Sequence, residues 1–248
     1  MPRFFIDESN ILGDENLIKI IGEDVNHIKN VLRLRIGDMI VLCDGKGTDY
    51  SVRINNYEKD SVTAIIEEQK KCSTEASLEV TLFQGLPKSD KMDFIIQKSV
   101  ELGIRRLVPV INERTVVRLD DKKDIQKKTA RWNRISLEAA KQCNRGIIPE
   151  VTAPISFNEA VELGKHMELA IIPYENELDK KLRSYMKRGI KNACLFIGPE
   201  GGFTEEEVKK AEHNGIKSVT LGPRILRTET AGIAALSIIM YELGDIGG

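Results

Sequence analysis

Arg227 and Glu229 stand two residues apart in the segment Leu221-Gly-Pro-Arg-Ile-Leu-Arg-Thr-Glu-Thr-Ala231, and Glu200 lies in the shorter Ile197-Gly-Pro-Glu-Gly-Gly-Phe203. A guanidinium is a rigid fork of donors suited to a carbonyl or a phosphate. A carboxylate beside it can accept a proton or orient the fork. The same two residues also read as a local ion pair bracing their loop, and Glu200 as either a second base or the cap of a neighbouring loop. Each segment follows a short apolar run and enters a helix pattern. Glycines there let the backbone approach a ligand and prolines fix its path. In an open α/β sheet such turns lie at the carboxyl ends of strands, where ligands bind.

A glycine-rich turn before a helix suggests a phosphate cradle, but Thr204 is a natural N-cap and Glu205, Glu206 and Glu207 fill the next turn, with Glu207 at the capping-box position. Three carboxylates at the positive end of the dipole would repel a polyphosphate. Neither the dinucleotide fingerprint nor the P-loop pattern is present. A ligand without phosphates and with positive charge fits better, and S-adenosylmethionine is one. The bland reading of Thr204 to Glu207, a capped surface helix, stays open beside it.

These loops, together with Lys88, Asp93, Gln97, Lys98, Glu101, Leu102 and Gly103, resemble the bacterial small-subunit ribosomal RNA uridine-N3 methyltransferases of the knotted SPOUT superfamily. Glu113-Arg-Thr-Val116, Glu138-Ala-Ala-Lys-Gln142 with Arg145, and His27-Ile-Lys-Asn-Val-Leu-Arg33 before Gly37-Asp38 are similar to that family too. The likeness runs from about residue 3 to about residue 243, and its specificity lies in the ordered set of motifs. It implies an α/β SPOUT trefoil-knotted domain, an N-terminal PUA-like β-barrel that binds RNA, a two-fold homodimer, and S-adenosylmethionine as cofactor. It implies cofactor contacts at Ile172, Pro173, Tyr174, Ile197, Gly198, Pro199, Gly201, Gly202, Leu221, Gly222, Ile225 and Leu226. RNA contacts are expected at Arg33, Lys88 and Arg145, and the partner is small-subunit ribosomal RNA or the assembled subunit. On this reading Arg227 binds a uracil carbonyl or a phosphate, and Glu229 or Glu200 takes the N3 proton. A related enzyme with another RNA acceptor, or a non-catalytic RNA-binding assembly protein, are the competing readings.

Composition is that of an ordinary globular chain: 248 residues, 41% hydrophobic, 30% charged, net charge −1. No segment reads as a membrane span or a signal peptide, so the cytoplasm is the expected location. Cys43, Cys72, Cys143 and Cys194 lack metal or disulfide spacing, and His27, His166 and His213 form no cluster, so no metal is expected. Basic residues concentrate from Lys122 to Arg145, which reads as a solvated helix face or as a phosphate-binding one.

A polar stretch over residues 70–76 divides the chain into expected domains 1–72 and 73–248. Before it, alternation predicts strands at Arg3 to Ile6, Leu17 to Ile20, Met39 to Cys43, Tyr50 to Ile54 and Ser61 to Ile66, with turns at Asp44-Gly45-Lys46-Gly47 and Asn55-Asn56 and a helix within Asp24 to Leu34. After it, strands at Leu78 to Phe83, Arg106 to Ile111, Leu169 to Pro173, Ala193 to Ile197 and Ser218 to Leu221 alternate with helices at Ser89 to Leu102, Ile125 to Cys143, Leu178 to Arg188, Thr204 to Asn214 and Thr230 to Leu243. That order predicts a parallel sheet. The last helix is apolar nearly all round and needs cover on more than one side, from its own domain or from a second subunit.

Overall fold

The computed structural model describes residues 1–12, 16–117 and 121–247. The chain forms two compact units, Met1–Glu75 with Ala140–Ile148, and Ala76–Ala139 with Pro149–Gly248.

In the first unit six strands, β1 (Arg3–Phe5), β2 (Ile11–Leu12), β3 (Leu17–Ile21), β4 (Met39–Cys43), β5 (Thr48–Tyr57) and β6 (Ser61–Lys71), form one sheet in the order β1-β4-β5-β6-β3-β2. Period-two alternation sends Ile18, Ile20, Ile40, Leu42, Val52, Ile54, Val62 and Ala64 to a common core. The expected turn at Asn55-Asn56 is instead a register shift inside β5, between Ile54 and Asn56. A bulge accommodates the extra residue and the strand continues. The chain turns at Glu58, whose amide donates to Ser61 O at 3.0 Å.

The expected helix exists as a short α-turn, α1 (Glu23–Asn26), that widens into a π-turn over His27–Val31. It ends at Arg33, which is exposed and held at φ +53°. Residues 140–148 join this unit through a bridge between Lys46 and Ile147 and a bond from Gly47 N to Gly146 O. Arg145, expected as an RNA contact, is 5% exposed. Its Nη2 lies 2.6 Å from Glu75 Oε2, and Glu75 Oε1 also accepts the amides of Gly146 and Ile147. A guanidinium buried against its own carboxylate is an internal brace rather than a free phosphate ligand. Burial pushes the Cys43 thiol up to about 11, which makes it a poor nucleophile.

The second unit is a parallel sheet of β7 (Glu79–Gly85), β8 (Arg106–Ile111), β9 (Glu150–Val151), β10 (Ile155–Ser156), β11 (Leu169–Pro173), β12 (Asn192–Ile197) and β13 (Lys217–Val219), ordered β10-β8-β7-β12-β11-β13 with β9 beside β8. Its helices are α2 (Lys91–Glu101), α3 (Lys122–Gln142), α4 (Phe157–Gly164), α5 (Glu205–His213) and α6 (Thr228–Glu242). Phe83 and Phe196 stack at 4.5 Å between centroids inside a core that Phe157 and Phe203 complete. Helix α6 packs on α2 and β12 through Gly232, Ala235, Leu236 and Ile239, while Ile238 and Tyr241 stay exposed.

The helix expected over Leu178 to Arg188 is only a single 3₁₀ turn, Leu182–Tyr185. Glu177 Oε1 accepts the amides of Asp179 and Lys180, and Thr220 N donates to Lys180 O. The side chain and the neighbouring segment thus take backbone groups that a helix would need. Helix α4 was not expected, although Ser156-Phe-Asn-Glu159 is a complete capping box.

Candidate active site

The loops after β11, β12 and β13 gather at the carboxyl ends of three adjacent parallel strands, the place where open α/β sheets bind ligands. They enclose a cavity of about 510 Å³, within the range of small-molecule sites. Pro173 and Tyr174 come from the first loop, Ile197, Gly198, Pro199 and Gly202 from the second, and Leu221, Gly222, Ile225 and Leu226 from the third. Ten of the twelve expected cofactor positions therefore line one cavity. Ile172 does not, because its side chain is wholly buried in the core. Gly201 does not either: its carbonyl accepts Arg114 Nη1 at 2.8 Å.

The two glycine-proline loops are tied together beneath the cavity. Thr228 is buried at the start of α6, and its hydroxyl bonds Gly198 O and receives Gln84 Nε2, which also donates to Gly85 O. Gln84 is itself fully buried. The sequence reading missed both residues; a glutamine following the apolar pair Leu82-Phe83 at the end of a strand was the available signal.

Of the expected catalytic residues, Arg227 and Glu200 line the cavity. Arg227 is exposed and forms no ion pair among the described residues, so the reading of Arg227 and Glu229 as a mutual brace is not what the structure holds. Glu229 pairs instead with Lys91, whose Nζ is 3.5 Å from Glu229 Oε2 and 2.9 Å from Glu200 Oε1. Glu200 also accepts Lys88 N at 3.1 Å, while the Lys88 side chain is exposed. Burial alone would raise the Glu200 pKa, but the bonds from Lys91 and from Lys88 N outweigh it and hold the carboxyl below its ordinary range. Bonding to Glu200 in turn raises the Lys91 ammonium above its ordinary value. Lys91 was not expected as a site residue.

The glutamates of α5 follow the capping reading rather than the ligand-selecting one. Thr204 and Glu207 form the capping box, and Glu207 Oε1 receives Glu113 N at 3.0 Å and Asn112 Nδ2 at 3.3 Å. None of Glu205, Glu206 and Glu207 lines the cavity. A ligand with an adenosine and a cationic amino-acid arm suits the cavity for a different reason. Gly198, Gly202 and Gly222 offer main chain to it, Tyr174, Leu221 and Ile225 offer apolar surface, and Glu175 and Glu200 offer negative charge. Gly222 sits at φ +113°, a conformation glycine adopts freely.

Among the described residues no helix is long and apolar enough to cross a membrane, and no His, Cys, Asp and Glu cluster could hold a metal.

Residues 74–240 match the family model of the RNA methyltransferase domain, and residues 20–67 that of the RNA methyltransferase PUA domain. The chain is 37% identical to the ribosomal RNA small subunit methyltransferase E of Bacillus subtilis, over 98% of this chain and 97% of that one. It matches the crystal structure of a ribosomal RNA small subunit methyltransferase E from Neisseria gonorrhoeae, bound to S-adenosyl methionine, with a TM-score of 0.83 and 38% identity over 99% of both chains. A methyltransferase of Legionella pneumophila, solved with the same cofactor, gives a TM-score of 0.83 at 32% identity over 99% of both. The second unit thus has the SPOUT fold and the first carries the PUA module, and the chain belongs to the ribosomal RNA small subunit methyltransferase E family.

Proposed function

We propose that this protein transfers a methyl group from S-adenosylmethionine to N3 of a uridine in small-subunit ribosomal RNA. The observation that carries the reading is the one cavity built by both glycine-proline loops, with Arg227 on its wall and Glu229 in the first turn of α6, in a member of this family. Pro173, Tyr174, Gly198, Leu221, Gly222, Ile225 and Leu226 hold the cofactor, whose sulfonium supplies an activated methyl. The protein then has to align the acceptor, exclude water and manage one proton. Arg227 faces the uracil carbonyl on which negative charge develops. Glu229 takes the N3 proton, because Glu200 is occupied by Lys91 and Lys88 N and is the poorer base.

Arg33 and Lys88 contact RNA. Arg33 supports this through its backbone: φ +53° favours glycine or asparagine, so an exposed arginine there costs stability that its side chain must justify by a contact. We further infer a cytoplasmic homodimer with a trefoil knot in the SPOUT domain. The apolar residues Phe94 on α2 and Ile238 and Tyr241 on α6, exposed on two helices that pack together, support the dimer.

The test is incubation with small-subunit RNA or assembled subunits and labelled cofactor, followed by nucleoside mass spectrometry. N3-methyluridine is expected. A methylated ribose would place the chain with another acceptor, and absence of transfer to either substrate would favour a non-catalytic assembly protein.

A further inference from the structure

Lys91 is the first residue of α2, a position where the helix dipole disfavours a cation. It stays there in the company of two carboxylates from distant segments, Glu200 at 2.9 Å and Glu229 at 3.5 Å, and it lines the cavity. Glu200 is fully engaged, by Lys91 Nζ and by Lys88 N. Glu229 is not: its Oε2 is buried and accepts no hydrogen bond. One ammonium is thus divided unequally between two carboxylates, and the one it serves less is the one beside Arg227.

We propose that Lys91 is a positioning residue for the transfer reaction: it neutralises Glu200 and leaves Glu229 free to take the proton from the substrate ring. The inference rests on the reaction proposed above. The charged residues at the cavity are Lys91, Arg224 and Arg227 against Glu175 and Glu200, with Glu229 in contact through Lys91. Three cations balance three carboxylates. When the N3–H bond breaks, its electron pair stays on the ring and its proton goes to Glu229. One carboxylate charge is lost and one ring charge appears, so the balance is kept through the step. The N3–methyl bond then forms as the carbon–sulfur bond breaks, with that pair passing to sulfur. The bound cofactor, with a sulfonium and an ammonium against one carboxylate, adds one net positive charge to this balance; without Lys91 that excess is cancelled before the ring anion forms, and the anion is disfavoured. The raised affinity of Lys91 for its proton keeps it an ammonium throughout.

The experiment compares Lys91→Gln, Lys91→Met and Lys91→Arg with the wild type in steady-state methyl transfer, alongside cofactor calorimetry and melting curves. Both neutral variants should lose about ten- to a hundredfold in kcat, with KM for RNA and cofactor affinity close to wild type. Lys91→Arg should recover most of the loss. Adding Glu200→Gln to Lys91→Gln should make the enzyme faster than Lys91→Gln alone, since it restores the wild-type charge balance of the loaded cavity while keeping an acceptor for Lys88 N. If the neutral variants melt lower but turn over at the wild-type rate, Lys91 is a brace and the proposal fails. If the double variant is slower than Lys91→Gln alone, Glu200 itself serves the reaction and the proposal fails. A wild type that transfers no methyl to uridine would sink the reaction assignment first, before any variant is compared.

Discussion

Thr228 Oγ1 and Gly198 O lie 2.6 Å apart, and this one bond joins the loop after β12 to the first turn of α6. Because Gln84 donates to the same hydroxyl, Thr228 accepts from below and donates above. Thr228→Val keeps the shape but removes the donor to Gly198 O and one of the two acceptors of Gln84 Nε2 in a buried place, which costs about 1–3 kcal/mol. The expected outcome is a lower melting temperature together with weaker cofactor binding in calorimetry, while Thr228→Ser stays close to wild type. Undiminished cofactor affinity in Thr228→Val would mean that the two loops hold their places independently.

Gly222 has a positive φ, and a Cβ added to it meets nothing within 4 Å. Gly222→Ala therefore carries backbone strain, on the order of 1 kcal/mol, without a clash in the free protein. Gly222→Val adds bulk at the cavity and should weaken S-adenosylmethionine much further than the alanine. Equal affinities for the two variants would show that strain alone acts.

Arg227→Ala and Glu229→Gln should each reduce turnover by about a hundredfold or more with cofactor affinity nearly intact, the signature of contacts made in the transition state. Their double variant should lose less than the product of the two factors. In Glu229→Gln the acid limb of the pH–rate profile should disappear, with activity rising as the ring ionises unaided. Retention of that limb in Glu229→Gln, with its loss in Glu200→Gln, would transfer the role of base to Glu200.

Arg33→Gly should do two opposite things. It relieves the left-handed backbone and so raises stability by up to about 1 kcal/mol, and it removes a phosphate contact and so lowers RNA affinity and flattens its salt dependence by about one unit of slope. Cofactor affinity should not move. A glycine variant that binds RNA normally would make Arg33 a residue without an RNA role.

The loop after β11 is held by Glu177, which takes the amides of Asp179 and Lys180 and pairs with the Lys180 ammonium at 3.2 Å. The Lys180 amide bond is the largest cause that brings the Glu177 carboxyl down to about 2. Its folded pKa is depressed, so the stability it adds is fully present above its ordinary value near 4.5 and is lost as pH falls towards 2. Melting temperature should drop over that window, and Glu177→Gln should be less stable at neutral pH and flatter in acid. Parallel curves for the two proteins would remove Glu177 from the account.

The cavity loops were legible because glycine and proline mark backbone geometry directly, as at Gly222 and Pro199, and because strand and helix periods bracket them. Arg227 and Glu229 stood out as chemistry within such a loop. The true partner of Glu229 did not. Lys91, Glu200 and Glu229 come from three segments far apart in the chain, and nothing local in any of them announces the meeting. The burial of Arg145 was hidden for the same reason, since Glu75, with which it pairs, is distant in sequence. The segment after Leu178 misled in another way: its composition favours a helix, and tertiary bonds to Thr220 override that preference.

Gly198, Gly202 and Gly222 present only main chain to the cavity. Main-chain donors and acceptors do not change when a codon does. An inhibitor that binds these groups in place of the cofactor gives the organism few substitutions by which to escape, since a bulky side chain introduced at Gly222 is expected to weaken the cofactor as well. Resistance would more easily arise through side chains of the wall such as Tyr174, Leu178 and Ile225. A compound that makes little contact with those three, and much with the glycines, would be the harder one to evade.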